Sequence, residues 1–94
     1  MTDRTPCRTP TGTSATNVPT WKFDACRAAL RTALADGPVP AKEIAERAGA
    51  HLPDDARADL GSLGWHMTTV RLEMEVRGEV ERLPGVKPVT LRLT

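Results

Sequence analysis

The sequence has no tyrosine, one phenylalanine and two tryptophans, so aromatic residues make up only 3% of its 94 residues. A core with so few large rings is built mostly from Ala, Leu and Val, and buries little area per residue. Domains of this length are marginal, and an oligomer interface is a common remedy. Long apolar runs are also missing. No stretch approaches the ~20 residues of a membrane span. The start, MTDRTPCRTPTGT, lacks the apolar segment of a signal peptide. The resulting expectation is a cytoplasmic protein with no membrane partner. Neither sign of charge is in excess: 13 basic and 12 acidic side chains give a formal charge of +1. That balance argues against polybasic, histone-like binding to nucleic acid, which needs a strong positive field. Cysteine is scarce too. Cys7 lies in a polar tail and Cys26 on an apolar helix face, so no disulfide is expected in a reducing compartment.

Catalytic signatures are missing as well. Cys7, Cys26, His51 and His66 stand at spacings that match no zinc motif, so no metal site is expected. His66 lies beside an apolar stripe and reads as a satisfied, partly buried histidine. Gly61 and Gly64 are too few for a phosphate loop and have no following Lys. Asp54 and Asp55 read as helix-capping carboxylates. No nucleophile and base can be paired. The expectation is therefore a protein that is not an enzyme, with no cofactor and no small-molecule substrate.

What is present is a clear order of elements. Residues 1–20 hold seven Thr and three Pro, with Val18 the one large aliphatic residue after Met1. Little there can offset ordering entropy, so a disordered tail is expected. Arg4 and Arg8 would suit a basic arm, but Asp3 dilutes it. Residues 21–94 form the expected domain. Thr20 is a candidate N-cap. Phe23, Cys26, Leu30, Ala33 and Leu34 then share one helical face, and Asp36-Gly37-Pro38 stops the helix. Val39-Pro40 is a short extended step. Residues 41–48 (AKEIAERA) form a second helix that Gly49 ends, and a further helical turn fits 56–60. The third main helix runs over about 63–77, with Leu63, Met67, Val70 and Met74 inward. After Gly78 the period becomes two. Strands at 79–83 and 89–94, joined by Pro84-Gly85, read as an antiparallel hairpin.

The tracts AKEIAERAG and VRLEMEVRGEVERLPG resemble the second helix, third helix and wing of a winged helix-turn-helix domain. The tract from Trp65 through GEVERLPGVKPVTLRL also resembles an uncharacterised family of small single-domain bacterial proteins. The resemblance implies an α+β, mainly α, fold of three helices plus a C-terminal hairpin wing. It further implies DNA binding, as in a small bacterial transcriptional regulator acting as a dimer, although the fold alone does not fix function.

Such a protein would read DNA with the outward positions of its third helix and touch phosphates with its wing. The candidate contacts are Thr68, Thr69 and Arg71 on the helix and Arg82, Lys87 and Arg92 on the hairpin. Glu73 and Glu75 would oppose phosphates, and Glu79 and Glu81 would dilute the wing cations. The helix is apolar on a second face as well, where Trp65, Leu72 and Val76 lie within about 40° at helical spacing. Three covers compete for that stripe: the tail and neighbouring elements, a second copy of the chain, or a different protein. The last two make it a protein interface, the alternative to DNA binding.

Overall fold

The computed structural model describes residues 3–12 and 15–94. It is an α+β arrangement of four helices and two small sheets among the described residues. The tail expectation is corrected first. Arg4–Arg8 (β1) and Ala15–Pro19 (β2) pair as an antiparallel hairpin, with Cys7 opposite Thr16 and Thr5 opposite Val18. Cys7 and Val18 point into the core. Two inward side chains and a partner surface offset the ordering entropy that the composition alone could not. For positions 1, 2, 13 and 14 the expected disorder lies outside the described residues.

Thr20–Leu34 forms α1, with Phe23, Cys26, Ala29, Leu30 and Leu34 buried. Thr20 is its first residue and does not cap it. Instead its N–H donates to the Asp3 carbonyl (2.9 Å) and its hydroxyl bonds that of Thr5 (2.9 Å), tying the helix to the hairpin. Gly37 (φ +136°) takes the left-handed conformation that ends this segment. The extended step Val39–Pro40 is β3, and Ala41–Gly49 is α2. Gly49 does not stop α2 as expected: it is the last helical residue, and Ala50 is the C-cap. A Cβ there would meet Leu63 Cδ2 at 2.8 Å, so glycine allows the next long helix to approach closely. The turn expected at 56–60 is a full short helix, Asp54–Leu60 (α3), which makes four helices where three main ones were expected. Ser62 caps Leu63–Val76 (α4), its hydroxyl oxygen accepting from the Trp65 N–H at 3.3 Å. Met67, Val70 and Met74 are fully buried, each stabilising the core by about 1.5–3 kcal/mol.

Val80–Arg82 (β4) and Thr90–Leu93 (β5) complete the chain. Together with β3 they form an antiparallel sheet in the order β3-β5-β4, Val39 facing Leu91 and Val80 facing Leu93. Both strands are shorter than expected. Val89 lies outside β5 with its side chain exposed, and its carbonyl accepts from the Ala41 N–H (2.8 Å) at the start of α2. Among the described residues no helix is long and apolar enough to cross a membrane.

Candidate functional site

The α4 helix has two unlike sides. At 100° per residue, the buried arc holds His66, Met67, Val70, Glu73 and Met74. On the opposite arc lie Trp65, Thr68, Thr69, Leu72 and Val76. Trp65 is 49% exposed, Thr68 is exposed, and Thr69, Leu72 and Val76 are half-buried. The apolar stripe expected from the sequence therefore reaches solvent. The His66 ring meets Trp65 edge-on, with centroids 4.8 Å apart, and its Nδ1–H donates to the Ser62 carbonyl at 2.6 Å. That contact fixes the base of the Trp65 side chain and leaves its outer face open.

The tail does fold onto α4, but beside the stripe. Glu73, expected to face outward, is completely buried. Its Oε1 accepts from the Arg8 main-chain N–H (2.8 Å) and from Arg8 Nε (3.0 Å). Its Oε2 accepts from Arg8 Nη2 and Arg77 Nε, both at 2.7 Å. A carboxylate in the interior persists when its lone pairs are met in this way. The Arg8 bond holds the Glu73 carboxyl down at about 2, against the opposing effect of burial. Arg77 also stacks on the Phe23 ring, 4.7 Å from its centroid. Arg8, read as part of a possible basic arm, is thus committed to the fold.

The candidate cations are held by carboxylates too. Arg71 Nη1 donates to Glu75 Oε2 at 3.0 Å, and Arg82 Nε to Glu75 Oε1 at 2.7 Å. The Nε of Arg71 is buried and has no acceptor. Arg92 bonds Glu81, its cross-strand neighbour. Glu79 turns to α1, taking Arg27 at 2.7 Å and Arg31 at 3.8 Å. Lys87 is exposed in the turn of the hairpin, between the exposed Val86 and Val89, and has no ion pair among the described residues. The structure joins Thr68, Thr69, Arg71, Trp65, Leu72 and Val76 on α4, and Glu75 brings Arg82 to the edge of that group. No described contact brings Lys87 or Arg92 to it.

The clamp on Glu73 and the sharing of Glu75 were missed in the sequence. A partial signal existed: Glu73–Arg77 and Arg71–Glu75 both stand at i, i+4. Cys7 and Cys26 are free and buried, and burial raises both thiols, Cys26 to about 11. Among the described residues no pocket opens, and no group of three or more His, Cys, Asp or Glu is placed to hold a metal.

No curated protein and no solved structure matches the chain. A family model does match, over residues 4–91, a span that takes in the N-terminal hairpin, the four helices and the second sheet as far as the middle of β5. The chain belongs to that family, described as a family of unknown function, DUF6958.

Proposed function

We propose that this chain is a protein-interaction module of winged-helix layout that docks its partner on the outer face of α4. The observation that carries the reading is the position of Trp65, half exposed beside Leu72 and Val76 on a helix whose other side is core. Trp is enriched at the energetic centres of protein interfaces. An apolar stripe on an otherwise charged small domain is a feature of such surfaces. The charge placement agrees, since Arg71, Arg82 and Arg92 already carry carboxylate partners.

A second reading, a winged-helix DNA-binding protein, is favoured by the sheet β3-β5-β4, whose β4–β5 hairpin follows α4, and by Thr68 and Thr69 on the outer side of α4. Freeing Arg92 from Glu81, a pair exposed on both sides, costs DNA little, about 0–1 kcal/mol, whereas freeing Arg71 and Arg82 leaves the nearly buried Glu75 unmatched at a higher cost. The obstacle is that Glu75 and Glu81 remain beside the phosphates afterwards and offset the cations.

Photo-crosslinking from position 68 in living cells tests the docking face, with Asp36 as the control position. Discrete protein adducts at 68, lost on Leu72→Glu, are the expected result. An absence of adducts, together with a salt-dependent shift on mixed duplex DNA that Arg82→Ala weakens, would transfer the assignment to DNA.

A further inference from the structure

Resting on that docking face, we infer that the partner presents an acidic amphipathic segment, with apolar side chains against Trp65, Leu72 and Val76 and a carboxylate for Arg82. The argument is a shortage of acceptors at the edge of the stripe. Glu75 stands 60° around α4 from Leu72 at 100° per residue, so its carboxylate borders the apolar side chains. Two guanidiniums share that one carboxylate, Arg71 at 3.0 Å and Arg82 at 2.7 Å, which leaves the cluster with one net positive charge. The buried Nε–H of Arg71 has no acceptor, whereas buried donors are nearly always satisfied. The side chain of Arg82 is half in water and free to be approached.

Glu75 holds Arg82 through Nε alone, so an incoming carboxylate that took Arg82 would replace one bond with two and leave Glu75 to Arg71. Two parallel N–H···O bonds are the preferred geometry of an arginine–carboxylate pair. The same charge argues against a second copy of the chain, which would bring an identical positive cluster. Against nucleic acid stands the neighbouring stripe, where Trp65, Leu72 and Val76 offer aliphatic and ring surface and no fork of donors for base edges.

The test uses the full chain and three fluorescein-labelled helical peptides. They share one apolar face of Leu and Phe and carry Glu, Gln or Lys on its flanks. Anisotropy measures affinity, and in a Trp21→Phe background the Trp65 emission shift reports the site. The Glu peptide is expected to bind about tenfold tighter than the Gln peptide at low salt, with the Lys peptide weakest. Arg82→Glu should reverse that order, which a change that merely damaged the fold would not do. Equal binding of the Glu and Gln peptides, both lost on Leu72→Glu, would overturn the acidic partner and leave the docking face standing. Binding of none of the three would overturn the inference, with the crosslinks from position 68 still deciding the docking face. Tighter binding of a duplex DNA oligomer than of any peptide, lost on Arg82→Glu, would overturn both readings.

Discussion

The molecule carries two β-hairpins, and arginine–carboxylate pairs hold both, with different consequences. In the N-terminal hairpin, β1 and β2 bury Cys7 and Val18, and Arg8 reaches a glutamate with no exposed surface. In the C-terminal hairpin, β4 and β5 bury Val80 and Leu91 at the root, while Val86, Lys87 and Val89 stay in water at the turn. Its own ion pair, Arg92–Glu81, is exposed on both sides. The same two functional groups therefore act as a structural lock in one place and as a solvated surface in the other. Burial makes the difference. An unmatched charge in the interior costs several kcal/mol, whereas an exposed pair contributes about 0–1 kcal/mol. The hairpin of low apolar content is thus the more tightly tied, and the C-terminal hairpin is free at its tip.

The largest effect should come from Glu73→Ala. It removes the acceptor of four hydrogen bonds and leaves Arg8 and Arg77 without it. Both arginines reach solvent, so the loss should fall near the low end of the range for broken buried pairs, about 3 kcal/mol. Denaturant unfolding measures it. Amide exchange should show the protection of Cys7, Arg8 and Val18 collapsing before that of α1. If β1 and β2 stay as protected as in the wild type, the lock is elsewhere and the contrast between hairpins fails.

The uneven legibility of the sequence follows from the same contrast. The faces of α1 and α4, the stop at Asp36-Gly37-Pro38, the turn at Gly78 and the outer stripe of Trp65, Leu72 and Val76 are periodic and local, so the pattern of residues reveals them. The N-terminal hairpin is neither. It has one buried side chain per strand, and its anchor is Glu73, 65 residues away from Arg8. A glutamate at the margin of a helix's core arc reads as outward until the covering strand is known. Gly49 reads as a helix stop, whereas it is helical and marks where α2 meets Leu63, because close approach depends on the packing of two helices.

A smaller effect should appear with pH. The Glu73 carboxyl titrates near 2 in the fold, below its ordinary value of 4.5. A depressed carboxyl contributes stability that is complete above the unfolded value and is lost as pH falls through the folded one. Stability should therefore decline as pH drops from about 4.5 toward about 2. The decline should be shallower in Glu73→Ala than in the wild type. The denaturation midpoint at pH 5, 3.5 and 2.5 is the measurement. Parallel curves for the two proteins would show that other carboxylates dominate acid unfolding.

The smallest effect should come from Arg92→Ala in the other hairpin. Arg92 and Glu81 are 53% and 42% exposed, so both ions keep most of their hydration when the pair breaks. The loss should be within about 0.5 kcal/mol, the range of an exposed pair. It should shrink further at high salt, where such pairs are screened. Leu91 and Val80 hold the strand register without the pair, since both are buried and cross-strand neighbours carry the sheet. A loss above about 1.5 kcal/mol in the denaturation midpoint would mean that the C-terminal hairpin also depends on its ion pair. The two hairpins would then differ in position and not in kind.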